Sequence, residues 1–205
     1  MIAKLQYISQ GKTPQEHLKN IQSACASGAV WVQLRLKNLD LKVILETAKK
    51  ARVITRHFNA QLIINDHYKI AKEVDADGVH LGKKDGCLLQ ASAYLGPAFI
   101  IGGTANTLED CKKLLAKKVD YIGLGPYQFT ETKKQLSPVL GIAGYTSLLE
   151  NLQTKTPIIA IGGIGLDVVG EIIKTGVYGI ALSGAITKDF KSIPIFNGII
   201  NTLNT

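Results

Sequence analysis

The stretch from Gln61 to Gly82 reads QLIINDHYKIAKEVDADGVHLG. An apolar run at 62–65 ends at Asn65-Asp66, a segment of helical length and amphipathic pattern fills 67–74, and a second short run at 78–81 ends at Gly82. Strand, helix and strand in that order form the unit of a parallel sheet, because parallel neighbours need a crossover connection. The same alternation recurs on both sides of this stretch. Apolar or β-branched runs fall at 5–9, 30–36, 62–65, 78–81, 99–102, 121–124, 158–161 and 179–182. Helical intervals fall at 14–28, 41–58, 67–74, 87–95, 108–117, 142–152, 166–175 and 195–203. Eight alternations predict a closed α/β barrel, a (β/α)8 fold of the TIM type with short loops, as a single domain over residues 1–205. An open, doubly wound sheet is the alternative that alternation alone permits. The chain carries no dinucleotide-binding glycine fingerprint, which counts against it.

Local signals agree with these boundaries. Thr13-Pro14 followed by Glu16 supplies an N-cap, a proline at the first helical position and an acid at the third, and Gly28 is a helix stop. Asp167 and Glu171 ahead of Lys174 suit the dipole of the seventh helix. The chain has 205 residues, 46% hydrophobic and 20% charged, which fits a globular core and excludes disorder and low complexity. No apolar run approaches the roughly 18–20 residues of a membrane span, and the N-terminus shows no secretory signal, so a cytoplasmic protein without a membrane partner is expected. Cys25, Cys87 and Cys111 are far apart and have no partners at metal-site spacing, so they read as buried or neutral thiols. A net charge of +8 favours anionic ligands. The lysines lie in scattered pairs such as Lys49-Lys50 and Lys112-Lys113, with no basic stripe or base-stacking motif, so no nucleic-acid partner is expected. Homo-oligomerisation is left open.

In a barrel of this kind functional groups gather at the C-terminal ends of the strands. Gln33, Arg35 and Lys37 alternate with Leu34 and Leu36, so an extended backbone puts the polar three on one face. Two cations aimed inward imply an anionic ligand, since a buried unpaired charge is costly; the alternative is a fraying strand end. Asp66 and Asp85 follow adjacent strands, close enough to share a hard cation such as Mg2+; the alternative is that each caps the next helix. Gly162-Gly163 and Ser183-Gly184 follow the seventh and eighth runs, where barrels often build a phosphate cradle from backbone N–H groups. Thr130, Thr132 and Lys133 occupy the longest connection and suit phosphate oxygens, although a solvated loop is an equal reading. His80, between Val79 and Leu81, reads as a satisfied buried histidine rather than a titrating group.

Together the segments QLRLK (33–37), IIND (63–66), DADGVHLGKKD (75–85), IIGGTAN (100–106), GLGPYQFTETKK (123–134), PIIAIGGI (157–164) and GIALSGAI (179–186) resemble thiamine-phosphate synthases. The resemblance implies that Gln33, Arg35, Lys37, Asn65, Thr104 and Lys133 hold an aminopyrimidine methyl diphosphate, with Arg35, Lys37 and Lys133 as the catalytic cations. It implies Mg2+ as cofactor on Asp66 and Asp85, and a thiazole phosphate held by Thr130, Thr132, Gly163, Ser183 and Gly184. The reaction it implies joins the two substrates into thiamine monophosphate, releases pyrophosphate, and takes CO2 from a carboxylated thiazole. Three segments depart from the family pattern: Thr104 and Asn106 stand where Ser and His are usual, the serine of the last turn falls at 183 with Gly184 in its place, and Gln128-Phe129 replaces an aromatic-proline pair. The related thiazole tautomerase shares the barrel and phosphate turns but needs acid–base groups instead of a diphosphate–metal site. A non-catalytic phosphate or nucleic-acid binder is the reading from a different class.

Overall fold

The computed structural model describes residues 2–83, 85–129 and 138–203. All eight expected strands form: β1 (Leu5–Ile8), β2 (Trp31–Leu34), β3 (Gln61–Asn65), β4 (Gly78–Leu81), β5 (Ile100–Ala105), β6 (Tyr121–Leu124), β7 (Ile158–Ile161) and β8 (Gly179–Leu182). Each is parallel to its sequence neighbours, and β1 closes on β8 with Leu5 opposite Ile180 and Tyr7 opposite Leu182. The sheet is therefore a closed barrel, not an open one.

The helices cover its outside: α1 (Pro14–Ala26), α2 (Leu41–His57), α3 (Tyr68–Glu73), α4 (Leu88–Leu95), α5 (Leu108–Ala116), α6 (Gly141–Leu152), α7 (Val169–Lys174), α8 (Gly184–Lys188) and α9 (Ser192–Leu203). The Thr13 hydroxyl accepts the Glu16 amide at 3.2 Å and Pro14 is the first helical residue, as the local signal requires. Thr107 and Asp110 form a reciprocal capping box that starts α5. Glu171 and Lys174 pair at 2.8 Å on α7, while Asp167 stands just ahead of that helix.

Period-two alternation divides the strand residues between two cores. Ile8, Trp31, Ile63, Tyr121, Ile159 and Ala181 pack inside the barrel. Tyr7, Val32, Leu34, Leu62, Ile64 and Val79 belong to the larger core between sheet and helices. Glycine makes room for the largest interior side chains: Gly102 pairs in register with Tyr121, and a Cβ on Gly102 would lie 2.2 Å from the Tyr121 ring.

Two expectations need correction. The second strand ends at Leu34 rather than 36, because the Arg35 amide bonds to the Ser9 hydroxyl at 3.1 Å instead of to a ladder carbonyl. The eighth unit carries two helices: α8 is too short for its periodicity to show, and α9 begins at Ser192 rather than 195. Cys87 is exposed, whereas Cys25 and Cys111 are buried and their thiols are pushed up to about 11 by that burial. Among the described residues no helix is long and apolar enough to cross a membrane.

Candidate active site

The C-terminal ends of the strands surround a cavity lined by Gln33, Arg35, Lys37, Asn65, Asp66, Asp85, Thr104, Gly163 and Ser183. Strands that are distant in sequence thus bring most of the expected residues to one mouth. Thr130, Thr132 and Lys133 lie outside the described residues.

Asp66 and Asp85 meet, and the Lys37 ammonium joins them, in contact with Asp66 and 3.9 Å from Asp85 Oδ1. The Asp66 backbone is left-handed (φ +66°), a conformation aspartate tolerates better than most residues. Its amide donates to the His80 carbonyl at 2.9 Å, continuing the β3–β4 pairing by one residue. Asp85 accepts the Gly82 amide at 3.1 Å. Neither aspartate caps a helix: α3 follows His67 and α4 follows Cys87, both without a side-chain cap bond. Burial, and next the neighbouring Asp85, raise the Asp66 carboxyl above its usual range. Asp85 is lowered: burial opposes this, but the hydrogen bond with Asp66, the Lys37 charge and the Gly82 N–H outweigh it.

The floor of the cavity is a chain of polar side chains crossing the barrel. Gln33 Nε2 donates to Gln6 Oε1 at 3.3 Å, and Gln6 Nε2 donates to the Tyr121 hydroxyl at 3.4 Å. That hydroxyl lies 3.0 Å from His80 Nδ1, and His80 Nε2 lies 2.9 Å from Thr104 Oγ1. His80 is indeed a satisfied, buried histidine. Gln6 and Tyr121 were not among the expected site residues; the inward position of Gln6 in the alternation of LQYI was the available signal.

Among the described residues four buried side-chain polar atoms have no partner, Trp31 Nε1, Arg52 Nε, Asn65 Nδ2 and Ser183 Oγ, and the last two belong to residues that line the cavity. A buried donor left unmade is costly, so each of these two points to a ligand that supplies the missing bond. The serine shifted to position 183 therefore still faces the site. Gly184 opens α8 between Ser183 and Ala185, which both line the cavity. Beside them, past the adjacent strand β7, Gly162 (φ +99°) and Gly163 (φ +71°) make the turn. The Gln128 side chain covers this turn, donating to the Gly163 carbonyl at 2.5 Å, while the Gln128 amide reaches Gly162 O at 3.1 Å. Asn106, the other departure in this region, donates through Nδ2 to the Gly125 carbonyl and so ties the end of β5 to that of β6.

The family model described as thiamine monophosphate synthase matches residues 5–186. The chain belongs to that family. A thiamine-phosphate synthase from Flavobacterium psychrophilum is 49% identical over 92% of this chain and 93% of its own length. One from Bacteroides fragilis is 45% identical, covering 90% of this chain and 92% of its own. Among solved structures, a thiamine phosphate pyrophosphorylase from Pyrococcus furiosus superposes with a TM-score of 0.84 at 30% identity, over 98% of this chain and 97% of its own. Each of the seven motif segments contributes described residues to the lining of this cavity. In this member of the family the Gln128 side chain packs on the glycine turn at Gly163, where a Cβ would lie 2.4 Å from Gln128 Cγ.

Proposed function

We propose that this chain, as one catalytic domain in the cytoplasm, joins an aminopyrimidine methyl diphosphate to a thiazole phosphate, forming thiamine monophosphate and pyrophosphate. Family membership and the relatives' names support the reaction. The observation that carries the site assignment is the contact of Lys37 with Asp66 and Asp85, past β2 to β4, in a cavity that Arg35 also lines and whose other side, past β7, carries the Gly162-Gly163 turn. That arrangement suits a diphosphate with a cation at one end and a phosphate monoester at the other.

Two carboxylates converging on a single ammonium offer only hard oxygen donors. Such a set fits Mg2+, which takes one or two protein carboxylates and completes its shell with water and phosphate oxygens. Asp66 and Asp85 would hold it, and when bound it neutralises part of the diphosphate charge. In the reaction the bond between the pyrimidine methylene and the diphosphate oxygen breaks, and the electron pair leaves with the diphosphate. The ring amine stabilises the carbon cation, and the thiazole nitrogen lone pair forms the new C–N bond. Arg35, Lys37 and Lys133 are the cations assigned to stabilise the negative charge that builds on the leaving group. Gln33, Asn65 and Thr104 hold the pyrimidine, and Asn65 Nδ2 gains its missing partner there. Thr130, Thr132, Gly163, Ser183 and Gly184 hold the thiazole phosphate. Catalysis is positioning and electrostatics, with no protein nucleophile. A tautomerase would need a group placed to move a proton, but both ring nitrogens of His80 are engaged by hydroxyls.

The test is product formation from both substrates and Mg2+, followed by mass and by pyrophosphate release. Thiamine monophosphate formed only when all three are present supports the reading; folded protein that makes none overturns it. The same assay checks the glycine turn. Gly163→Ala places a methyl in left-handed backbone 2.4 Å from Gln128 Cγ and 2.9 Å from the Phe129 carbonyl. Left-handed strain of about 1–2 kcal/mol is expected to appear as an approximately tenfold higher KM for the thiazole phosphate. The KM for the pyrimidine diphosphate is expected to stay within twofold, roughly the change expected without a direct contact.

A further inference from the structure

The chain from the end of β1 into the first turn of α1 reads SQGKTPQEH from Ser9 to His17, and Ser9 lies beside the first residue past β2. Ser9 extends the β1–β2 pairing: its amide donates to Gln33 O at 2.8 Å. The next bond of a parallel ladder would run from the Arg35 amide to the Ser9 carbonyl. Instead the Arg35 amide donates to Ser9 Oγ at 3.1 Å, and Ser9 Oγ lies 2.8 Å from His17 Nδ1. Ser9 and His17 are both buried.

A hydroxyl has one proton and two acceptor positions. With one position taken by the Arg35 N–H, the arrangement that uses the proton sends it to His17 Nδ1. The imidazole is then neutral and protonated at Nε2. Burial, the largest influence on this ring, lowers its pKa, and the Arg35 charge acts in the same direction, against Gly11 and Glu16. The ring fits because residue 11 is glycine, where a Cβ would lie 2.9 Å from His17 N and 3.0 Å from His17 Cδ2.

We propose that Ser9 and His17 are positioning residues for Arg35. His17 Nδ1 accepts the hydrogen bond of the Ser9 hydroxyl, which turns a serine lone pair toward the Arg35 amide and fixes where the chain leaves β2 and enters the cavity. This rests on the reading of Arg35 as a diphosphate-binding cation, and neither residue touches substrate.

The test combines spectroscopy on the resting protein with binding and turnover. The 15N shifts of His17 near neutral pH are expected to show Nδ1 bare and Nε2 protonated; an Nδ1-protonated ring overturns the proposal. In Ser9→Ala the Arg35 amide is expected to exchange with solvent about three- to tenfold faster, with a similar loss of affinity for Mg2+-pyrophosphate and a matching rise in KM for the pyrimidine diphosphate alone. His17→Leu is expected to behave like Ser9→Ala. Ser9→Thr, which keeps the hydroxyl, and His17→Asn, which offers an amide oxygen at the Nδ1 position, are expected to restore wild-type values. Unchanged Arg35 exchange in Ser9→Ala, or equal losses for both substrates, would show a merely structural role and overturn the proposal. Failure of the synthase reading appears separately, as a wild-type protein with the expected ring state and amide protection that forms no thiamine monophosphate.

Discussion

Asp66→Asn combined with Asp85→Asn is expected to lower the rate of thiamine monophosphate formation by about 10²–10³-fold, the scale of losing one preorganised source of charge stabilisation. Asparagine preserves the shape of each side chain and removes both negative charges, so the pair loses its hold on a divalent cation and on the Lys37 ammonium. The barrel is expected to remain folded. The Asp85 bond to the Gly82 amide needs only an oxygen acceptor, which the amide side chain still offers. Initial rates across a Mg2+ titration, with a thermal denaturation curve for each protein, make the measurement. A double variant that keeps both its rate and its Mg2+ requirement removes the metal from these two residues. Each single variant is expected to lose less than the pair, because the remaining carboxylate still attracts the ion.

The second large effect lies on the barrel floor. Gly102→Ala is expected to destabilise the protein by about 1–3 kcal/mol, the usual cost of forcing extra atoms into a packed interior. The added methyl would lie 2.2 Å from Tyr121 Cζ and 2.5 Å from its hydroxyl oxygen, so the ring has to move. Tyr121 also packs edge-on against Trp31 with ring centroids 4.9 Å apart, which closes off a retreat in that direction. Displacing the hydroxyl breaks its contacts with Gln6 and His80 together, so kcat/KM for the pyrimidine diphosphate is expected to fall by about tenfold on the scale of one or two lost hydrogen bonds. Tyr121→Phe separates the two effects. It keeps the ring and is expected to lose activity with a smaller change in melting temperature. If Gly102→Ala melts and turns over like the wild type, the floor is looser than these contacts imply. Gly123→Ala, whose Cβ would lie 3.2 Å from His80 Cε1, is the milder control.

The local pattern made the elements legible wherever one residue run carried the whole signal. Short apolar runs closed by Asn65-Asp66, Gly82 and Gly162 marked strand ends, because polar and glycine residues end a buried strand. Thr13-Pro14 marked a helix start through a bond that spans only three residues. Adjacency of Asp66 and Asp85 also followed from order alone, since consecutive βα units place their strands side by side. Legibility failed at α8, where five residues make little more than one turn of helix, and at Leu34, where a side-chain hydroxyl takes the place of a ladder carbonyl.

What the amino-acid order determined by itself was the eightfold alternation, the residues at each strand end and hence the list of groups that reach one rim. Those follow from backbone periodicity and local hydrogen bonding, which act over a few residues. The folded sheet decided which of those groups touch. Pairing of β2, β3 and β4 brought Lys37 to both carboxylates, and closure of β1 on β8 linked Gln6 to Tyr121, and through it to His80 and Thr104, across the interior, from four strands and 115 residues apart at its widest bond. Such contacts depend on barrel diameter, register and the glycines that admit large rings, all of which are properties of the assembled sheet rather than of any segment within it.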